Sequence, residues 1–136
     1  MYEVMYRNHS VFKIEIEGRQ KGIVQICDEK YLPFDIWLDE GDDIDIRLHN
    51  LTNFNTWAID RLFNLGEEFF EDIPNYLKQI EKYNDIKKTK IAIATRCLSL
   101  DDCYWVKDSN ENLLWEDFNL ASVKKAVTEQ FRVGKI

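Results

Sequence analysis

Apolar and polar residues alternate clearly in one stretch near the start of the chain. In Val11-Phe12-Lys13-Ile14-Glu15-Ile16-Glu17, Ile14 and Ile16 point one way and Glu15 and Glu17 the other, the period-two pattern of a half-buried strand. Tyr2 to Arg7 and Ile23 to Cys27 read as strands on either side of it. Asn8-His9-Ser10 and Gly18-Arg19-Gln20-Lys21-Gly22 supply the turns, so this stretch predicts a small antiparallel meander. Leu32-Pro33 breaks the pattern, and a short apolar run follows from Phe34 to Leu38. Asp39-Glu40-Gly41-Asp42-Asp43-Ile44-Asp45 then places five acids in seven residues, which predicts a solvated loop. The period now changes. Leu51, Phe54, Trp57, Ala58, Arg61 and Leu62 recur at three and four, predicting a helix with Thr52 or Asn53 as N-cap and Gly66 as its stop.

Pro74, just after Asp72, fits the first position of a second helix with the stripe Leu77, Ile80, Tyr83, closed by Asn84-Asp85. Ile91-Ala92-Ile93-Ala94 is open at this level. Its alternation suits a strand, whereas Thr89 as a cap and the lack of turn residues before Cys97 suit a helix. Cys103 to Lys107 has strand propensity, and alternation sends Tyr104 and Trp105 to opposite faces. Asp108 to Asn112 is a polar turn from which Leu113-Leu114-Trp115 returns, predicting a short hairpin around Trp105 and Trp115. Ser122 caps a last helix with Val123, Ala126, Val127 and Phe131 on one face. The fold class is therefore α+β: a small antiparallel N-terminal sheet, a helical middle, a short hairpin and a C-terminal helix. With no internal repeat and no linker, residues 1–136 are expected to form a single domain.

Charge adds a direction to this picture. The chain carries 18 basic and 25 acidic residues, a net of −7, of which residues 1–45 hold −6 and residues 85–136 hold +1. An acidic field repels phosphate backbones and anionic surfaces and attracts basic protein, so direct nucleic-acid binding is not expected. Three cysteines, Cys27, Cys97 and Cys103, form no CxxC pair, and no apolar run approaches a membrane span or a signal peptide. Free thiols in the cytoplasm, with no membrane association, are the expectation.

The chemistry-bearing residue types do not converge. His9 and His49 lack partners at a zinc-binding spacing. Asp108, Asn110 and Asn112 imitate the start of a calcium loop, but Leu113 stands at the glycine position and Asn119 at that of the bidentate glutamate. Asp117-Phe118-Asn119 shares two letters with a kinase DFG triplet and lacks the glycine-rich and HRD loops upstream. The carboxylate pairs Glu15/Glu17 and Asp43/Asp45 lie in polar stretches and read as a solvated face, without the pocket that acid–base work needs. No enzyme, no metal and no cofactor are expected.

One stretch is more distinctive: Leu98-Ser99-Leu100-Asp101-Asp102-Cys103-Tyr104-Trp105-Val106-Lys107, then Leu114-Trp115-Glu116-Asp117-Phe118-Asn119. It resembles the N-terminal module of certain Firmicutes HipA-like serine/threonine kinases, where "LSLSDQYWIKP" is followed by "WEDVNF". Phe12 to Glu17 resembles the opening strand of that module, Leu32-Pro33 its Leu-Pro, and Asn55-Thr56-Trp57 with Arg61 its Asn-x-Trp-x-x-x-Arg helix. Residues 89–97 fall where the family has a capped helix, which favours helix there. The departures are Cys97 in place of a glycine, Arg61-Leu62-Phe63-Asn64 in place of Arg-x-Ile-Pro, and the missing kinase domain.

The resemblance implies an accessory module standing alone, as phages and mobile elements carry. The expectation is a non-catalytic, regulatory, protein-binding module acting on a basic or kinase-like, toxin–antitoxin or host defence partner. Its candidate partner-binding residues are Asp39, Glu40, Asp42, Asp43 and Asp45, with Tyr104 and Trp115. The alternatives are an acidic nucleic-acid mimic inhibiting a nuclease or DNA-binding protein, and an enzyme of unrecognised type. Trp57, Tyr104, Trp105 and Trp115 can equally be core, and Glu116 and Asp117 can satisfy backbone amides at a turn.

Overall fold

The N-terminal alternation produces three strands, β1 (Tyr2–Tyr6), β2 (His9–Ile14) and β3 (Val24–Ile26), in a computed structural model that describes residues 1–136. A fourth strand, β4 (Tyr104–Asp108), comes from the far end of the chain and pairs with β1. The sheet is antiparallel throughout, in the order β3-β2-β1-β4. Tyr2 lies opposite Asp108 and Tyr6 opposite Tyr104. A bulge in the β1–β2 pairing leaves Val11 without an opposite residue, between the pairs Met5–Ser10 and Val4–Phe12.

Helices cover one face of this sheet. The longest, α1 (Ile44–Asn64), lays Phe54 against Phe12 and Trp57 against Tyr104, with ring centroids 6.2 and 6.5 Å apart. Three helices follow: α2 (Gly66–Phe69), α3 (Tyr76–Glu81) and α4 (Asp85–Ala94), the last packed along α1. The chain turns back after β4 through Asp108 and Glu111. Its returning arm closes into a 3-10 turn at Trp115–Asp117 and leads into α5 (Leu120–Arg132). On the second face of the sheet, Phe118 meets Trp105 edge-on at 4.8 Å. Tyr104 and Trp105 thus point to opposite faces, and both Trp57 and Trp105 are buried. The buried apolar residues form one cluster from Val4 to Val127. No helix is long and apolar enough to cross a membrane.

Several boundaries differ from expectation, each for a local reason. Helix α1 begins at Ile44 and not near Leu51, because the Asp43 carboxylate accepts the Asp45 amide and caps it. The predicted acidic loop therefore ends inside the first helical turn, where negative charge suits the helix dipole. Helix α3 starts after Asn75, in left-handed conformation at φ 57°, so Pro74 lies outside it. Asn84 opens α4 by accepting the Lys87 amide, and does not close α3. Thr89 is inside α4, its hydroxyl donating to Asn55 Oδ1 at 2.8 Å. The cap of α5 is Asn119, with Ser122 reciprocating three residues on. Ala126 faces solvent while Val123 and Val127 are buried.

The β4 edge of the sheet is closed along its length, and the β3 edge is held at one point. On β4, the outward amides of Tyr104, Val106 and Asp108 donate to Asp102 Oδ1 (3.1 Å), the Arg96 carbonyl (2.8 Å) and Glu111 Oε1 (2.8 Å). On β3, the Ile26 amide donates to Glu40 Oε1 at 3.0 Å.

Candidate functional site

Helix α1 presents Asn55, Trp57 and Arg61 to its neighbours, and each is used inside the fold. Arg61, 8% exposed as a residue, stacks its guanidinium on Trp57 with the central carbon 4.6 Å from the ring centroid. It donates to the Cys97 carbonyl (2.6 Å), to both Asp102 oxygens (2.8 and 2.7 Å) and to the Tyr104 carbonyl (3.2 Å). A planar fork of five donors makes this bidentate arrangement available to arginine alone. Burial raises the Asp102 pKa, but the hydrogen bonds and charge of Arg61 and the Tyr104 amide outweigh it, leaving it below the usual aspartate value. Arg96 and Cys97 both take positive φ, 59° and 48°, which aims the Arg96 carbonyl at β4 and the Cys97 carbonyl at Arg61. Cys97 is fully buried, and burial pushes its thiol up to about 12.

The second distinctive segment is also engaged internally. Asn8, in the turn between β1 and β2, accepts the Trp115 amide at 2.8 Å and donates to both Glu116 oxygens at 3.0 and 3.1 Å. Asp117 accepts the Leu114 amide at 2.7 Å. Trp115 is half-buried against Phe118, and Arg96 lies over the Phe118 ring, 5.7 Å from its centroid, while pairing with Glu111. Tyr104 is held on the opposite face of the sheet, its hydroxyl donating to the Tyr31 carbonyl at 2.6 Å and its ring meeting Tyr6. Tyr104 and Trp115 therefore do not form one aromatic surface.

The acids from Asp39 to Asp45 divide by role. Glu40 accepts the Ile26 amide on the β3 edge and Asp43 caps α1. Asp39 is clamped through its backbone, its amide donating to Asn50 Oδ1 (2.8 Å) and its carbonyl accepting from Asn50 Nδ2 (2.6 Å). The side chains of Asp39, Asp42 and Asp45 are exposed and have no protein partner. Residues 28–45 hold eight acids and one lysine, so this segment accounts for the whole net charge and the rest of the chain has 17 of each sign.

Immediately before these acids the chain exposes its two most solvent-facing aromatic residues. Phe34 is 100% and Trp37 72% exposed, whereas Pro33 and Ile36 between and beside them are buried. Sequence reasoning passed over this pair. Its only local signal is two large aromatics interleaved with Asp35 in a short run that adjoins an acidic segment.

The largest depression, about 620 Å³, lies between Tyr2, α4 and the end of the chain. Two of its three lysines are committed: Lys90 pairs with Glu17 at 2.9 Å and Lys87 sits 3.9 Å from the Tyr83 ring centroid. No group of histidine, cysteine and carboxylate side chains is placed to hold a metal ion. Comparison with models of known families, with curated proteins and with solved structures finds no match to this chain.

Proposed function

We propose that this chain is a non-catalytic protein-binding module that regulates a basic partner, with a kinase-like, toxin–antitoxin or host defence protein as the partner class. The observation that carries this reading is the gathering of the entire net charge of −7 into residues 28–45, on one loop and helix start. Such a field attracts a basic protein surface and speeds its encounter, while it repels nucleic acid and anionic lipid. The partner class comes from the resemblance to the HipA-like N-terminal module. Supporting it, Cys97 stands where that module has glycine and has the positive φ that glycine favours. Asn55, Trp57, Arg61 and Asp102 meanwhile serve as a fold signature, each consumed in tying α1 to its neighbours.

Affinity capture by the tagged chain at low and high salt tests the reading. A basic protein retained at low salt, released at high salt and rebinding after purification is the expected result. An acidic or salt-insensitive prey, or turnover of a small molecule by the purified chain, overturns it. A prey that is a nuclease or DNA-binding protein, losing activity on binding, replaces the regulatory reading with nucleic-acid mimicry, which the same charge would serve.

A further inference from the structure

Building on the protein-binding reading, we infer that Phe34 and Trp37 are the apolar centre of a docking surface whose occupant is a basic, amphipathic protein segment. The loop that carries them is not loose. Pro33 and Ile36 are buried, and the Ile36 amide donates to the Pro33 carbonyl at 3.2 Å. Asn53 Nδ2 donates to the Trp37 carbonyl at 2.8 Å, the Asn50 pair grips Asp39, and Glu40 is tied to β3. The chain thus fixes the backbone on both sides of two large aromatics while giving their rings to solvent. A surface ordered before binding loses little freedom on binding, and aromatic side chains, Trp above all, dominate the centres of protein interfaces.

The surrounding charge selects the occupant. Asp35 lies between the two aromatics in sequence, and exposed Asp39, Asp42 and Asp45 follow. Lys30 is the single base of residues 28–45. Exposed acids that adjoin two exposed aromatics along the chain match a segment with lysine or arginine on one face and leucine-like side chains on the other. They repel nucleic acid and anionic membrane alike. The balance of charge elsewhere in the chain means that this acidic segment is not a by-product of a uniformly acidic surface.

The test uses a fluorescently labelled 20-residue amphipathic peptide of leucine and lysine, beside a control peptide in which serine replaces leucine. The full chain should bind the leucine peptide at least about tenfold more tightly than the control, as a hot-spot contribution requires. Phe34→Ala with Trp37→Ala, both at exposed positions, should keep the wild-type unfolding midpoint and lose that preference. Absence of the preference in the wild-type chain overturns the inference, as does its survival in the double variant. So does a concentration-dependent dimer in sedimentation that the double variant abolishes, since a second copy would then cover the pair. The two proposals fail separately. A basic partner captured equally well by the double variant removes this surface and leaves the protein-binding reading standing, whereas loss of that partner supports both.

Discussion

Arg61 shows how one side chain can turn an apparent binding motif into a structural joint. Its guanidinium reaches three separate backbone or carboxylate targets in the segment from Cys97 to Tyr104 while resting on Trp57. Lysine offers one compact charge and no fork. Arg61→Lys should therefore destabilise the fold by about 3 kcal/mol, the scale of a broken buried pair, and chemical denaturation will read it. Cys97 allows a separate check at the same joint. Its thiol is fully buried with its pKa up to about 12, whereas Cys27 is exposed. A thiol reagent at neutral pH should modify Cys27 in the native protein and reach Cys97 only on unfolding, as mass spectrometry of the labelled peptides will show. Rapid native labelling of Cys97 would mean that the segment after α4 does not pack as described.

At the scale of elements, the turn from Gly18 to Gly22 is locked to α1. Gly22 has φ 85°, and a Cβ there would meet the Arg47 carbonyl oxygen at 2.0 Å. Arg47 in turn donates to the carbonyls of Lys21 and Arg19, and Asn50 to that of Gly22. Gly22→Ala should cost at least about 2 kcal/mol, combining strained backbone with a backbone clash, and a thermal melt will measure it. The closed edge of β4 predicts a pH dependence. The hydrogen bond from Arg96 lowers the Glu111 pKa against the opposing effect of burial, helped by the Asp108 amide, and Asp102 is lowered as described above. A carboxylate with a depressed folded pKa contributes its stability fully above its unfolded value and loses it as pH falls through the folded one. The contribution of these two carboxylates to the unfolding midpoint should thus be flat above the ordinary values of 4.5 for Glu111 and 3.8 for Asp102, and fall below them. Glu111→Gln should lower the midpoint at neutral pH and shrink that acid dependence.

These elements were unequally legible. The meander was readable because alternation and glycine turns are local signals. The start of α1 was not, since an acidic run reads as a loop until Asp43 is seen as a cap and Arg47 and Asn50 as anchors for distant backbone. The pairing of β4 with β1 spans the chain, and no local pattern encodes it. The same holds for the candidate site. Its charge was visible in composition, but the exposure of Phe34 and Trp37 was not, because an apolar residue carries no mark of whether the fold will cover it.

For the whole molecule, the distribution of charge separates stability from encounter. Asp39, Asp42 and Asp43 changed together to Asn should leave stability within about 0.5 kcal/mol of wild type, because asparagine retains the cap of α1 and the other two sites are solvated. The same variant should associate more slowly with a basic partner at low salt, the difference vanishing as salt rises. Stopped-flow association rates at two ionic strengths will decide this. Equal rates at low salt would reduce the acidic segment to a solubility feature.

The placement of β1 at the centre of the sheet, between β2 and β4, also sets the order in which a growing chain can complete itself. The meander has both its turns by Gly22, yet β1 gains its second neighbour only when Tyr104 to Asp108 have been made. At roughly 5–20 residues per second, a strand near the N-terminus waits about 5–20 s for its partner during translation. Throughout that interval β1 is an open edge on a nascent chain, the condition that chaperones guard against. A ribosome stalled after α4 would hold a sheet with one side unpaired, whereas release of the next 14 residues supplies both the missing strand and the first groups that close it.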